Sequence, residues 1–258
     1  MSRLVFITGA SSGIGQALAW RFYQAGYSLA LVARRIAETQ RWITERQISA
    51  ERYQIYSADV SISDNIVSAG HDCLRRQGIP DVVIACAGIS IGVDTTERAD
   101  IEVIARTFAI NNTGTAATFH PFLKAMVKRG SGVAVGIGSV NGIRGFPGHG
   151  ANCPSKAALI SYYECLRGEM RGTGVKVVTL CPGYIDTPLT QKNTYGMPFL
   201  MRADDFAEKA FRAIEAGVSY RVIPWQMGVL AKLLRVIPNG LFDKVFAGRP
   251  RKSRNTDA

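Results

Sequence analysis

The sequence predicts an α/β fold: a doubly wound, parallel, seven-stranded sheet in a single domain, followed by a C-terminal helical extension. Short apolar runs alternate with helical patterns from residue 4 to residue 224, which is typical of a parallel sheet covered by helices on both faces. Some runs, such as residues 82–84, are continuously apolar, as strands buried on both faces are. The length of 258 residues suits one domain of this class.

The predicted elements follow one another in a regular order. Apolar runs predict strands at residues 4–8, 28–33, 53–57, 81–86, 132–137, 175–180 and 220–224. Helical patterns lie between them at residues 13–25, 38–47, 62–77, 97–129, 155–172 and 204–216, with a break near Asn111. No linker or repeat precedes residue 225. We therefore divide the chain into a domain at residues 1–224 and an extension at residues 225–258.

The composition excludes several classes of protein. Apolar residues make up 47% of the chain and charged residues 20%, so a disordered chain, a collagen and a coiled coil are excluded. The five cysteines are widely spaced and form no CxxC pair, which argues against zinc or disulfide scaffolds and favours a reducing compartment. No signal peptide or apolar run of membrane-spanning length is visible. We expect a cytoplasmic protein that holds no metal.

The chain is strongly basic. Its 31 Lys and Arg against 20 Asp and Glu leave a formal net charge of +11, which would attract a nucleic acid, an anionic cofactor, acidic substrates or an anionic membrane surface. The basic residues are not interleaved with aromatic residues, and no recognition motif appears. We therefore expect no nucleic-acid partner.

A glycine-rich turn lies between the first predicted strand and the first predicted helix. It reads Thr8-Gly9-Ala10-Ser11-Ser12-Gly13-Ile14-Gly15. Glycines permit a tight turn and let a pyrophosphate approach the backbone, and the helix start adds unpaired N–H groups. An ordinary strand-to-helix turn is the alternative, but the strand–turn–helix context favours dinucleotide binding. The predicted contacts are Gly9, Ser11, Ser12, Gly13, Ile14 and Gly15.

Five further segments follow the glycine turn in a recognisable order. They are Cys86-Ala87-Gly88, Asn111-Asn112-Thr113-Gly114, Gly138-Ser139-Val140-Asn141-Gly142, Ser155-Lys156-Ala157-Ala158 and Pro182-Gly183-Tyr184-Ile185-Asp186-Thr187. Together with the turn they resemble the short-chain dehydrogenase/reductase family over residues 3–224. The resemblance implies a Rossmann-like dinucleotide-binding catalytic domain that reduces a small apolar carbonyl or oxidises the alcohol. It also implies a homodimer or homotetramer built on the helices at 97–129 and 155–172.

The end of the second strand indicates which cofactor is preferred. It reads Val32-Ala33-Arg34-Arg35, without the carboxylate that binds the ribose 2′-hydroxyl of NAD. A guanidinium suits a 2′-phosphate, so NADP(H) is favoured over NAD(H), although a solvated arginine pair is the alternative. The resemblance places Asp59 and Val60 at the adenine and Thr187 at the nicotinamide carboxamide. It also assigns cofactor contacts to Ala87, Gly88, Lys156, Pro182, Gly183 and Ile185.

The resemblance also implies a catalytic set with one departure. Ser139 would polarise the substrate oxygen, Lys156 would bind the nicotinamide ribose and lower the pKa of a tyrosine, and Asn111 would hold a water in a proton relay. The tyrosine is expected four residues before Lys156, where this chain has Asn152. An amide does not titrate, and losing a general acid costs about 10²–10⁴ in rate.

Three interpretations of Asn152 remain open. The chain is a Tyr→Asn variant of an ordinary reductase, or it uses another group, of which His149 is the nearest, or it binds NADP(H) without turnover. We expect His149 to be a solvated loop residue. Tyr162 and Tyr163, which lie beyond Lys156 on the same helix, are expected to be structural.

The last third of the chain contains two further predicted features. Residues 188–202 are rich in apolar side chains and would form either a lid over the substrate or a loop packed on its own domain. The extension carries seven basic and two acidic residues, and apolar residues recur in it at helical spacing. We favour a helix that covers the cleft or a dimer contact, with a frayed basic tail. Peripheral contact with the inner face of a membrane is the alternative.

Overall fold

The described residues form nine strands. They are β1 (Leu4–Thr8), β2 (Ser28–Ala33), β3 (Tyr53–Ser57), β4 (Val82–Ala85), β5 (Gly132–Ile137), β6 (Val175–Pro182), β7 (Ile185–Asp186), β8 (Met201–Arg202) and β9 (Tyr220–Ile223). Seven of them make a parallel sheet in the order β3-β2-β1-β4-β5-β6-β9, while β7 pairs only with β8. The computed structural model describes residues 3–193, 195–248, 252 and 254. The predicted doubly wound sheet is confirmed.

Nine α-helices surround this sheet in the described residues. They are α1 (Gly13–Gln24), α2 (Ile36–Glu45), α3 (Ser63–Arg76), α4 (Asp100–Phe108), α5 (Gly114–Arg129), α6 (Asn152–Glu169), α7 (Ala203–Ala216), α8 (Trp225–Val236) and α9 (Asn239–Phe246). The predicted break near Asn111 is a π-helical turn, Ala109–Thr113, between α4 and α5. Helix α6 begins three residues before the predicted start, so Asn152 and Lys156 lie on one helix.

The sheet separates two apolar cores. Val5 and Ile7 of β1 point into the core beneath α1 and α7, and Phe6 points into the opposite core beneath α3, α5 and α6. All five residues of β1 are buried. This burial on both faces explains why the strands are continuously apolar rather than alternating.

Gly136 in β5 leaves the space that a tyrosine of α6 occupies. A Cβ at residue 136 would lie within the ring of Tyr163, which is fully buried. We expect Gly136→Ala to lower the free energy of unfolding by about 1–3 kcal/mol, because the ring has no free volume to move into. Urea unfolding measures this change. The matched control is Gly168→Ala in α6, where a Cβ meets open space, and which should be neutral or stabilising.

The sheet order creates a crevice between β1 and β4. The chain leaves β1 toward β2 and β3 on one side and continues from β4 toward β5 and β6 on the other. Ligands of open α/β sheets bind at such a switch point, outside the carboxyl ends of the strands. Thr8 Oγ1 joins the two strand ends by accepting hydrogen bonds from the backbone N–H groups of Cys86 (3.2 Å) and Ala87 (3.3 Å).

The C-terminal extension packs against the segment that follows β5 and against β9. Met227 and Ala231 of α8 contact Val140 after β5, and Phe242 of α9 packs against the Phe146 ring, with centroids 5.7 Å apart. The Arg144 guanidinium donates to the carbonyls of residues 234, 235 and 237 at the end of α8. No helix in the described part of the chain is long and apolar enough to cross a membrane.

Candidate cofactor and active site

The glycine turn follows β1 at the crevice and packs closely against two other predicted cofactor segments. Gly9 has φ +73°, and a Cβ there would lie 2.8 Å from Ala87 Cα. Gly13 has φ +55°, and a Cβ there would lie 3.1 Å from Thr187 Cγ2. A Cβ at Gly15 would collide with the Gly9 carbonyl oxygen. The turn therefore needs its glycines both for backbone conformation and for close approach.

The start of α1 completes a cradle for phosphate groups. Ser12, the N-cap residue, is extended and makes no side-chain capping hydrogen bond, so the first-turn N–H groups are not capped from within the helix. Such N–H groups, at the positive end of the helix dipole, bind anions. Ile14 packs against the core and holds the helix in place. The cradle fits the pyrophosphate of a nicotinamide dinucleotide.

Arg35 extends from the end of β2 to the glycine turn. Its Nη2 donates to Ser11 Oγ at 3.2 Å and to Ser12 Oγ at 3.4 Å, and its Nε pairs with Glu38 at 3.1 Å. A guanidinium and two hydroxyls therefore converge beside the cradle. This donor set is suited to a phosphate monoester.

Arg34 points away from this group toward the end of β3. Its Nη1 pairs with Asp59 at 3.3 Å, while the other Asp59 oxygen accepts from the backbone N–H and hydroxyl of Ser61. Burial alone would raise the pKa of the Asp59 carboxyl, but the hydrogen bonds from Ser61 and the Arg34 charge hold this pKa below its ordinary value. The Val60 carbonyl abuts Gly114. Both Asp59 and Val60 thus already contact other parts of the protein.

Lys156, Asn111 and Gly88 meet at the carboxyl end of the sheet. A Cβ at Gly88 would lie 3.2 Å from Asn111 Oδ1 and 3.7 Å from Lys156 Nζ, and Nζ donates to the Ile137 carbonyl at 3.1 Å. Burial lowers the pKa of the Lys156 ammonium and raises the pKa of the neighbouring Cys86 thiol to about 12. Lys156 Nζ is therefore anchored by a hydrogen bond in buried surroundings that strengthen its electrostatic effects.

Ser139 follows β5 at the same edge of the sheet. Its Oγ accepts from the Asn141 N–H at 3.1 Å, which leaves the hydroxyl proton for another acceptor. This arrangement suits a group that donates a hydrogen bond to a substrate oxygen.

The side chain of Asn111 is fully engaged by protein groups. Its Oδ1 accepts from the Ile89 N–H at 2.9 Å, and its Nδ2 donates to the Ile89 carbonyl and to Ser155 Oγ. The Asn111 carbonyl accepts from Thr115 Oγ1 at 2.7 Å. The side chain thus positions neighbouring segments.

Asn152 lies one helical turn before Lys156, on the same face of α6. Its side chain is only 3% exposed, and no described residue donates a hydrogen bond to its Oδ1. A buried polar atom without a partner is costly in free energy. The protein therefore carries a buried, non-titrating and incompletely bonded group at the position where the resemblance expects a tyrosine.

Comparisons with known proteins identify the family of the chain. Residues 3–197 match the short chain dehydrogenase family. The chain belongs to that family. An uncharacterized oxidoreductase of Myxococcus xanthus (strain DK1622) is 35% identical to the chain over 241 residues, covering 93% of this chain and 95% of the relative.

Two solved dehydrogenase structures have a similar fold. A short-chain dehydrogenase from Streptomyces avermitilis is 25% identical, with a TM-score of 0.80 and coverage of 95% of this chain and 94% of that one. An alcohol dehydrogenase from the archaeon Thermococcus sibiricus, complexed with 5-hydroxy-NADP, is 27% identical. Its TM-score is 0.76, and the match covers 85% of this chain and 95% of the other.

The prediction that His149 is solvated is wrong for this short-chain dehydrogenase. His149 is 9% exposed, and its Nδ1 lies 3.1 Å from the Pro147 carbonyl. Because that carbonyl only accepts, Nδ1 carries the proton, and Nε2 accepts from Tyr195 Oη at 3.5 Å. Burial lowers the pKa of His149. The neutral imidazole is a weak candidate for a substitute acid. Tyr163 is buried in the core, as predicted.

One part of the predicted lid, residues 188–202, faces the cleft and another part faces the solvent. Strands β7 and β8 bring its two ends together, and Tyr195 turns inward toward His149 and Tyr184. Phe199 and Leu200, by contrast, are exposed.

The cofactor residues predicted after β6 are held by packing and hydrogen bonds. The Ile185 side chain lies in the core, and Thr187 Oγ1 lies 3.2 Å from Thr190 Oγ1. Pro182 ends β6, and the Gly183 N–H donates to the Ile223 carbonyl at 2.9 Å. Of these residues, Thr187 is the one placed against the glycine turn.

Two residues of the predicted basic tail are described. Arg254 Nε pairs with Asp100 at 2.9 Å, and Lys252 Nζ donates to Asn193 Oδ1 at 3.4 Å. These contacts differ from the expected fraying at both positions. Residues 249–251, 253 and 255–258 lie outside the described part of the chain.

Sequence reasoning missed Ser155 as a central residue of the site. Ser155 is fully buried, accepts from Asn111 Nδ2 at 3.0 Å and donates to the Asn152 carbonyl at 2.9 Å. It thus connects the π-helical turn to the start of α6. Its place directly before Lys156 in the recognised segment was the available signal.

Proposed function

We propose that the chain is an NADP(H)-dependent oxidoreductase of the carbonyl reductase or alcohol dehydrogenase type, whose turnover Asn152 slows. The observation that carries the cofactor preference is the approach of Arg35 to Ser11 and Ser12 beside the glycine turn. A 2′-phosphate at this position would accept from all three side chains. NAD(H) has no group there to engage the arginine, so it would bind more weakly.

Different residues would bind different parts of the dinucleotide. The turn from Gly9 to Gly15 would hold the pyrophosphate, and Asp59 and Val60 would flank the adenine. Ala87, Gly88 and the segment from Pro182 to Thr187 would surround the nicotinamide half. When bound, NADP(H) supplies or accepts the hydride. Thr187 and Lys156 would orient its nicotinamide and ribose.

The substrate would be a small apolar ketone, aldehyde or alcohol. Ser139 would donate a hydrogen bond to its oxygen and so stabilise negative charge that develops there. Asn111 and Ser155 would hold the catalytic helix in register. The remaining requirement is a proton for the alkoxide, which a titrating acid normally provides.

Asn152 does not meet this requirement. Its amide can donate a hydrogen bond but cannot release a proton at working pH. Carbonyl reduction would then depend on water, and its rate would fall by about 10²–10⁴. The second candidate function, an NADP(H)-binding protein without turnover, is favoured by the same residue.

Binding and turnover of the unaltered chain can be measured separately. We expect NADPH to bind at least tenfold more tightly than NADH in a calorimetric titration, because of the Arg35 group. We expect NADPH oxidation with a panel of aliphatic and aromatic ketones to be barely above background. Equal binding of the two cofactors would contradict the preference, and fast turnover would contradict the impairment.

We also propose a homodimer or homotetramer through the outer faces of α5 and α6. An open groove there is lined by apolar residues such as Ala117, Leu123 and Tyr162. A second copy would cover this surface, in line with the helices chosen from the sequence. The cytoplasmic location stays a prediction.

A further inference from the structure

The outer face of α8 carries a stripe of exposed apolar side chains. The exposed fractions are 67% for Trp225, 48% for Val229, 57% for Leu233 and 77% for Val236. At 3.6 residues per turn these four positions occupy an arc of roughly 80°. A single exposed apolar residue is ordinary, but a contiguous patch marks an interaction surface.

The exposed stripe is not the side of α8 that packs against the rest of the protein. The opposite side of α8 already supplies the core contacts, through Met227 and Ala231. Its C-terminal carbonyls accept from Arg144, whose guanidinium also lies 3.9 Å from the centre of the Phe242 ring. The helix is therefore anchored on one side and presents its apolar stripe on the other.

The stripe continues onto the segment predicted as a lid. Phe199, Leu200 and Trp225 line one open groove of about 660 Å³ between the end of that segment, α7 and the start of α8. Phe199 is 53% exposed and Leu200 is 48% exposed. Two chain segments separated by 25 residues thus place apolar side chains at the rim of one groove, whose lining also includes three basic and two acidic residues of β8 and α7: Arg202, Asp205, Glu208, Lys209 and Arg212.

Basic residues accompany the apolar stripe. Lys232 and Arg235 lie along one side of it on α8, and both are exposed. Lys244 is exposed on α9. The whole extension has seven basic residues against two acidic ones. An apolar stripe containing a tryptophan and flanked by cations is the pattern of a helix that lies in a membrane interface.

We propose that the outer face of α8, together with Phe199 and Leu200, docks on the surface of an anionic phospholipid bilayer. The apolar stripe would enter the boundary between headgroups and acyl chains, and Lys232 and Arg235 would contact lipid phosphates. Helix α8 is too short to span the bilayer and would lie in its plane. This inference goes beyond the proposed function, because bilayer binding requires no turnover.

Charge argues against a second copy of the chain as the occupant of this face. A two-fold symmetric contact would bring Lys232 and Arg235 of one copy near the same residues of the other. The extension carries a formal charge of +5, so the two surfaces would repel. An anionic bilayer removes this repulsion and adds attraction.

Co-sedimentation with vesicles tests the proposal. We expect the chain to pellet with phosphatidylcholine vesicles that contain about 30% phosphatidylglycerol, and to partition at least tenfold more weakly onto pure phosphatidylcholine. The variant Val229→Ser/Leu233→Ser/Val236→Ser should lose at least tenfold in partition onto the anionic vesicles. The matched control, Ile36→Ser/Ile62→Ser/Ile101→Ser, removes exposed apolar side chains elsewhere and should pellet like the unaltered chain.

NADPH binding by each variant shows that its fold is intact. Because vesicle binding and NADPH binding are measured independently, this test can fail without contradicting the proposed function. The proposal is overturned if the unaltered chain stays in the supernatant with anionic vesicles, or if the α8 variant pellets as well as the control. It is also overturned if light scattering shows that the α8 variant alone dissociates to monomers while no form of the protein binds vesicles. In that case the stripe is a contact between copies.

Discussion

Asn152→Tyr is expected to raise the rate of NADPH-dependent carbonyl reduction by about 10²–10⁴. The new phenol would stand one helical turn before Lys156, where Asn152 Oδ1 now has no partner among the described residues. A nearby ammonium stabilises the phenolate and lowers the pKa of a tyrosine toward the working range. Steady-state NADPH oxidation with ketones measures the gain.

Asn152→Phe is the matched control for this substitution. It adds the same ring without the hydroxyl, so any gain from packing alone appears in both variants. We expect Asn152→Phe to remain as slow as the unaltered chain and to bind NADPH as well. If Asn152→Tyr is no faster than Asn152→Phe on any carbonyl that related reductases accept, proton donation is not the missing function. The binding protein without turnover is then the better description.

Arg35→Ala is expected to weaken NADPH binding by about 10–100-fold, which corresponds to the loss of a charge-assisted hydrogen bond. NADH binding should change by less than about twofold, since NADH has no phosphate at the ribose 2′ position. Titration of each cofactor against the purified protein measures the two affinities. The effect should shrink at high salt, because the Arg35 side chain is exposed.

Two other arginines serve as controls for Arg35. Arg41→Ala removes the same charge from the exposed face of α2 and should leave both affinities unchanged. Arg34→Ala should have a smaller effect than Arg35→Ala, because Arg34 pairs with Asp59. If NADPH affinity falls equally in the Arg34 and Arg35 variants, long-range electrostatic attraction binds the 2′-phosphate. Specific contacts with Arg35, Ser11 and Ser12 would then not be responsible.

The phosphate cradle could be predicted from the sequence because its determinants are local. Gly9, Gly13 and Gly15 lie within seven residues of one another and directly follow an apolar strand. The conformation of a tight turn depends on residues that are neighbours in the sequence, so the sequence alone can predict it. The same holds for Asn152 and Lys156, whose spacing alone places them on one helical face.

His149 shows where this reasoning stops. In the sequence it stands between two glycines in a loop, which indicates solvent exposure. In the structure Tyr195 reaches it from a segment more than forty residues away, and burial lowers its pKa. Burial depends on which distant segments pack together, and no local pattern encodes that.

The sequence by itself determined the doubly wound sheet, the glycine turn and the asparagine at the expected tyrosine position. The sheet and the turn depend on periodicity or spacing over a few residues, whereas the expected tyrosine position depends on the family resemblance. Only the tertiary structure decided that Arg35 rather than Arg34 joins Ser11 and Ser12, and that Phe199, Leu200 and Trp225 share one surface. The physical reason is that side-chain partners and solvent exposure arise from long-range packing, which brings together residues far apart in the chain.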